Sequence, residues 1–293
     1  MSEETAIDLI TRQEWLDTAA DALQPAITDA FEAGGEAGQR IKNFLHGTWL
    51  GHQLHPVITD VPVGAWTVAA VLDCMELAGK EEYAPGADAA VAIGLVGAVG
   101  AAVTGITDWS DTDGKSRKVG LMHGLLNTAA AALYTTSLVC RSKNARGAGI
   151  SLSMLGYAIA GTSAYLGGHL VFNDEIGVNH TTDIYDYPQE FTPVLAESDL
   201  GENSMKRVEV KEVPILLARK NGNIYALQHN CSHLGGPLSE GDLLDDCSVR
   251  CPWHGSRFSL ETGEVLDGPS TYTQPRFDVR VREGQIEVRK SDD

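Results

Sequence analysis

Asn230–Val265 reads NCSHLGGPLSEGDLLDDCSVRCPWHGSRFSLETGEV, and its spacing decides what the C-terminal third of the chain builds. The frame is C-x-H, seventeen residues, then C-x-x-H, supplied by Cys231, His233, Cys251 and His254. Each half offers one thiolate and one imidazole, and both are donors for transition metals. A structural zinc site also uses two Cys and two His. Zinc motifs, however, usually pair Cys with Cys and His with His, or set the His pair on a helix. Mixed loops suit two irons, one held by the thiolates and the other by the imidazoles.

The flanks of this stretch alternate. VEVKEVPILLARK (208–220) leads into an Asn221-Gly222-Asn223 turn and then IYALQ (224–228). Further on, FDVRVREGQIEVRK (277–290) alternates apolar and charged residues about Glu283-Gly284. Period-two patterning around such turns is the signature of β-hairpins, so this half is expected to be all-β.

With Leu234-Gly235, Pro252-Trp253 and Gly255-Ser256 beside the ligands, residues 200–290 resemble the Rieske family. The resemblance implies one [2Fe-2S] cluster per chain, with Cys231, His233, Cys251 and His254 as its ligands. It also implies that Gly268–Ser270 is the family's proline loop beside the cluster. Quinol-oxidising members carry an extra Cys in each cluster loop, joined as a disulfide. The matching positions here are Gly236 and Trp253, so the chain resembles Rieske ferredoxins and the Rieske domains of oxygenases, with a lower potential implied. Cys247 and His229 are read as packed or strand residues and not as ligands.

Upstream, four apolar stretches at about 57–78, 88–107, 119–140 and 149–172 are separated by short polar loops. Each approaches the length of about 20 residues that crosses a bilayer as a helix. Ala89–Thr107 carries no charge, whereas the first stretch holds Asp73 and Glu76 near its end. Four membrane helices are expected, with a buried soluble bundle as the competing reading.

Four consecutive spans bring His52, His55, Asp60, Asp108, Trp109, His123, Asn127 and His169 to one face. Titratable groups at a membrane boundary are costly unless paired, so such a gathering is a candidate site. His55, Asp108 and His123 form the candidate set. A haem, another metal or a quinone head group could use them.

HGTWLGHQLHPVITDVPVGAWTVAAVLD (46–73), TGITDW (104–109), His123 with Asn127, and GGHLVFNDEIGV (167–178) are similar to the DUF2231 family of predicted membrane proteins. That resemblance implies a membrane location and no particular chemistry. The expected organisation is therefore an acidic helical segment at 1–45, a four-helix membrane domain at 46–180, a linker at 181–200 and a Rieske domain at 201–293.

The formal net charge of -18 argues against sequence-independent nucleic-acid binding, which needs Lys and Arg on phosphates. Five Cys in no regular framework argue against a disulfide-stapled domain. Glu3, Glu4 and Asp8 stand where an export signal would be basic, so the Rieske domain is expected on the cytoplasmic side. Neither a GxGxxG turn after a strand nor an iron domain beyond the cluster is recognisable. The expected function is one-electron transfer, as a ferredoxin-like carrier or oxidoreductase component, between a redox protein or small-molecule donor and an acceptor. A redox sensor with the helices as an anchor is the alternative.

Overall fold

The computed structural model describes residues 6–181 and 186–292. The chain forms two compact units: Met1–Gly38 with Leu54–Ile176, and Gln39–Gln53 with Gly177–Asp293.

The first unit is helical. Seven helices occur among the described residues: α1 (Ala6–Thr11), α2 (Glu14–Ala33), α3 (Gly35–His46), α4 (Leu54–Leu77), α5 (Ala84–Trp109), α6 (Gly114–Ser142) and α7 (Arg146–Phe172), and all but α3, which divides at Gly38, lie wholly in this unit. This corrects the expected count of four for the helical part. Helix α2 covers the ends of α5 and α6, because its Leu16 and Ala20 bury against Trp109 and Leu121. Arg117 pairs with Asp21 at 2.8 Å and Lys118 with Asp17 at 2.6 Å.

Helix α4 packs along α5 and α6 along α7, with α5 against α6 and α4 against α7 closing the ring. Helices α4 and α6 therefore face one another across the bundle. Their facing side chains correspond at a constant offset of 68 residues: His55 with His123, Trp66 with Tyr134, and Asp73 with Arg141. Each pair meets. The His55 and His123 ring centres are 6.3 Å apart, the Trp66 and Tyr134 rings stack at 4.2 Å, and Asp73 salt-bridges Arg141 at 2.5 Å. A second constant offset relates α5 to α7. Ala101 and Gly105 lie by His55 as Ser163 and Gly167 lie by His123, while Gly94 abuts Trp66 as Gly156 abuts Tyr134. The bundle is thus two copies of one helical hairpin about a pseudo-two-fold axis, with the paired side chains on that axis.

Among the described residues, two segments are long and apolar enough to cross a membrane, Leu54–Leu77 and Glu81–Trp109. This is fewer than the four expected spans. The two acidic residues near the C-terminal end of α4 are paired. Both Asp73 oxygens accept from Arg141, and Glu76 accepts from Arg146.

The second unit is all-β apart from Gln39–Gln53. Its strands are β1 (Thr192–Ala196), β2 (Ser204–Val210), β3 (Val213–Lys220), β4 (Asn223–Gln228), β5 (Asp242–Leu243), β6 (Ser248–Arg250), β7 (Arg257–Ser259), β8 (Val265–Asp267), β9 (Arg276–Arg282) and β10 (Gln285–Lys290). They form an antiparallel sheet in the order β1-β10-β9-β4-β3-β2 and a smaller one, β5-β6-β7-β8. Asn221-Gly222 and Glu283-Gly284 turn the β3–β4 and β9–β10 hairpins with positive φ at both residues, as two-residue turns of this twist require.

Alternation along β3 divides the core. Val213, Ile215 and Leu217 pack with Phe277, Ile286 and Val288, whereas Leu216 and Ala218 pack with Leu227, Val249, Phe258, Cys231 and Cys251. Strand β3 is therefore buried on both faces.

The stretch expected as a linker, 181–200, contains β1, which pairs with β10 and so covers an edge that would otherwise stay open. The stretch before α4 also belongs to this unit. Asn43 donates to Asp267 Oδ1 at 2.9 Å and accepts from the Gly268 amide at 3.0 Å, while His46, wholly buried, lies against Gly268. Hydrophobic periodicity carries no sign of either contact.

Candidate metal centre

Two loops of matched build carry the four expected ligands. In the first, the Cys231 amide donates to Gly236 O at 2.8 Å and the Gly235 amide to Cys231 O at 2.8 Å. In the second, the Cys251 amide donates to Ser256 O at 2.8 Å and the Gly255 amide to Cys251 O at 3.2 Å. The fourth residue after each Cys has φ near +77°, at Gly235 and at Gly255, a conformation natural to glycine. The same turn is made twice.

The loops bring the cysteines together on one side and the histidines on the other. Cys231 and Cys251 are 1% and 4% exposed and their thiols are hydrogen-bonded to each other. That bond lowers Cys251 to about 7, against burial, with the Trp253 and His254 amides assisting. Cys231 is raised by the same bond and by burial, although the His233 and Leu234 amides act the other way. Amides aimed at sulfur favour thiolate, the form that binds metal.

The His233 and His254 ring centres are 5.0 Å apart with planes at 85°. His233 is buried; His254 is half-buried beside Trp253, which is 57% exposed. The histidine side therefore lies toward the surface.

Among the described residues, no three His, Cys, Asp or Glu side chains converge on a point where one metal ion could bind. A single zinc would need all four donors at one centre. A Cys pair and a separate His pair suit the two irons of a [2Fe-2S] cluster. Gly236 sits where the quinol-oxidising relatives would place a cysteine, and a Cβ there would come within 2.8 Å of Cys251 Sγ and 3.1 Å of the Trp253 ring.

A buried polar brace that spacing alone does not disclose holds the loops. Gln274 accepts from the Ser232 amide at 3.0 Å and donates to Gln228 O at 2.6 Å and Asn230 O at 2.5 Å. Ser232 Oγ donates to Tyr272 O at 2.8 Å, and the Ser270 amide donates to Ser256 Oγ at 2.9 Å. The expected proline loop, Gly268–Ser270, is thereby tied to both ligand loops. Only its GPS signature was visible in the sequence; Gln274 is an ordinary polar residue until it is folded.

Cys247 and His229 have partners of their own, and His229 lies just past the end of β4 and not within a strand. Cys247 accepts from Asn221 at 3.3 Å, and His229 is held by Ser239 at 2.8 Å and Asn230 at 3.1 Å. Of the second candidate set, the structure brings His55 and His123 together. Asp108 lies one turn beyond Thr104 on α5 and does not complete a three-donor metal group.

Twin loops, each offering one Cys and one His on an antiparallel β scaffold, define a Rieske-type centre. The chain belongs to the Rieske [2Fe-2S] domain family, which matches residues 190–278, and residues 51–180 match the predicted membrane protein family DUF2231. The chain is 37% identical over 89 residues to the 3-phenylpropionate/cinnamic acid dioxygenase ferredoxin subunit of Escherichia coli strain K12, covering 30% of this chain and 83% of that one. It is 35% identical over 113 residues to apoptosis-inducing factor 3 of Mus musculus, which is 38% of this chain but only 18% of the relative's length. The ferredoxin of carbazole 1,9a-dioxygenase from Nocardioides aromaticivorans IC177 aligns at 23% identity and TM-score 0.34, over 35% of this chain and 100% of its own. The domain carries a [2Fe-2S] cluster and serves electron transfer.

Proposed function

We propose that this chain is a membrane-anchored, ferredoxin-like electron carrier in which Cys231 and Cys251 hold one iron and His233 and His254 the other. The cluster, when bound, takes up and releases one electron. The protein supplies the sulfur and nitrogen donors, directs amides at the thiolates and excludes water from the cysteine side. The observation that carries the reading is the asymmetry of the site. Its thiols are buried, while His254 stands beside exposed Trp253, so a partner docking there meets the histidine side first.

A redox protein is the partner this surface suits. The E. coli relative is a dioxygenase ferredoxin subunit, and a similar role here places a reductase on one side of the exchange and an oxidising protein on the other.

The membrane reading rests on the distribution of polarity in the helical unit. Its outside presents Val96 at 76%, Val99 at 66%, Ile93 at 57% and Leu155 at 52% exposure, whereas its interior holds Asp73, Arg141, Ser137 and Ser163. Lipid favours this arrangement, and water penalises so large an apolar surface.

The test is an electron paramagnetic resonance spectrum of the reduced full chain purified from the membrane fraction in detergent. A Rieske signal is expected, altered in His233→Cys and in His254→Cys and lost in Cys251→Ser. An unaltered signal in either histidine variant would refute the ligand assignment. Recovery of the chain in the soluble fraction would refute the anchor.

A further inference from the structure

The helical unit holds a second pair of histidines whose geometry differs from that of the cluster pair. We propose that His55 and His123 are the two axial ligands of one haem bound inside the α4–α7 bundle.

Both rings have a defined tautomer. His55 Nδ1 lies 2.9 Å from Ala101 O on α5, and His123 Nδ1 lies 2.8 Å from Ser163 O on α7. A carbonyl oxygen only accepts, so each Nδ1 carries the proton and each Nε2 carries the lone pair. A backbone carbonyl on the second nitrogen is the usual support of a metal-bound imidazole. The Thr104 hydroxyl at 3.4 Å from His55 Nδ1 and the Ser163 hydroxyl at 2.9 Å from His123 Nδ1 repeat the pattern on each side. Asn127 Nδ2 is 3.1 Å from His123 Nε2 and donates to that lone pair in the ligand-free chain.

The separation of the rings selects the ligand. A metal–imidazole bond is about 2.0 Å, and the ring centre lies about 1.1 Å behind the nitrogen, so two imidazoles at a tetrahedral angle on one ion have centres about 5 Å apart and two in line about 6.2 Å apart. His233 and His254, which suit one tetrahedral iron, are at 5.0 Å; His55 and His123 are at 6.3 Å. A quinol bridging the same nitrogens through its two hydroxyls would hold the rings farther apart than this.

Only two protein donors are present, since no third His, Cys, Asp or Glu joins them among the described residues. An ion with two trans imidazoles needs its remaining ligands from elsewhere, and a porphyrin supplies four nitrogens in the plane between them. The flanking residues on α5 and α7 are small. A Cβ at Gly105 would come within 2.7 Å of His55 Cε1, and one at Gly167 within 3.1 Å of His123 Cε1, with Ala101 and Ser163 one turn away. The pseudo-two-fold axis presents equivalent imidazoles to an iron placed on it. A bundle core built from facing helices is a common location for such a cofactor.

This assignment does not depend on the electron-carrier reading and fails separately from it. The full chain is purified in detergent, haemin is titrated into it, and absorption spectra are recorded oxidised and reduced. The expected result is saturation at about one haem per chain with a six-coordinate, low-spin spectrum. Binding weakens at least about tenfold in His55→Ala and in His123→Ala, while His123→Met keeps haem with a shifted spectrum. The Rieske signal, read on the same samples, reports that each variant is folded. No saturable haemin binding by the wild-type chain, or unchanged binding in the double alanine variant, overturns the proposal. Stoichiometric zinc or copper bound by the two histidines in place of haem overturns it equally.

Discussion

Asp73 and Arg141 are joined by two hydrogen bonds, at 2.7 and 2.5 Å, with side chains 0% and 1% exposed, although 68 residues separate them. Ser137 Oγ accepts from Arg141 Nε at 3.0 Å and Asp88 accepts from Nη1 at 2.9 Å, so the buried guanidinium is well supplied with partners. Removing one partner strands a buried charge. Arg141→Met is expected to destabilise the helical unit by about 3–5 kcal/mol, and Arg141→Met with Asp73→Leu to recover most of that loss. Thermal unfolding in detergent measures both. A single variant as stable as wild type would show that the pair is not buried in the working protein.

Gln274 closes three buried hydrogen bonds between the ligand loops and β4. Gln274→Ala leaves the Ser232 amide and two carbonyls without it and is expected to cost about 2–4 kcal/mol. The cluster's visible absorption should then be lost at a lower denaturant concentration. Unchanged loss of the cluster chromophore would argue against the brace.

Gly236 has no room for a side chain beside Cys251 Sγ. Gly236→Ala forces either the ligand loop or Trp253 to move, and cluster occupancy after purification is expected to fall several-fold. Iron and sulfide analysis measures this directly. Wild-type occupancy would show that the loops tolerate spreading.

The absence of a cysteine pair at Gly236 and Trp253 is expected to place the reduction potential in the lower part of the Rieske range, roughly −150 to 0 mV. A potentiometric titration followed by paramagnetic resonance measures it, and a midpoint above about +150 mV would overturn the ferredoxin-like reading.

Hydrogen bonds from Arg289 and then Ser291 hold the Asp278 carboxyl below its ordinary value. A carboxylate depressed in the folded chain stabilises it above the unfolded value of about 3.9, and that contribution is lost as the pH falls through the lower folded value. Asp278→Asn should therefore narrow the stability difference between pH 6 and pH 3, about the window set by those values, as followed by strand circular dichroism. An identical pH profile for both proteins would remove Asp278 from the acid response.

The twin Cys and His loops and the all-β scaffold were legible because their signals are local. C-x-H and C-x-x-H next to Gly235 and Gly255 specify a turn as well as its donors, and alternation through β3, β9 and β10 specifies strands. The apolar length of α4 and α5 was legible for the same reason. The three helices before them were compressed into one acidic segment, since α1 and α2 are surface helices with only Leu16 and Ala20 buried in α2.

What stayed hidden depends on residues far apart in the chain. The duplicated hairpin escapes notice because two of its three axial pairs are complementary instead of identical: Trp66 answers Tyr134, and Asp73 answers Arg141. Asn43 reaches the Gly268 amide across 225 residues, and no periodicity relates them. The amino-acid sequence by itself determined the C-x-H and C-x-x-H loops, their local turns and the alternation of strands, because those depend on neighbouring residues. Only the tertiary structure decided that His55 faces His123, that Gln274 braces the cluster loops and that Gln39–Gln53 joins the Rieske domain. Burial and hydrogen-bond closure select such partners only once the chain has packed.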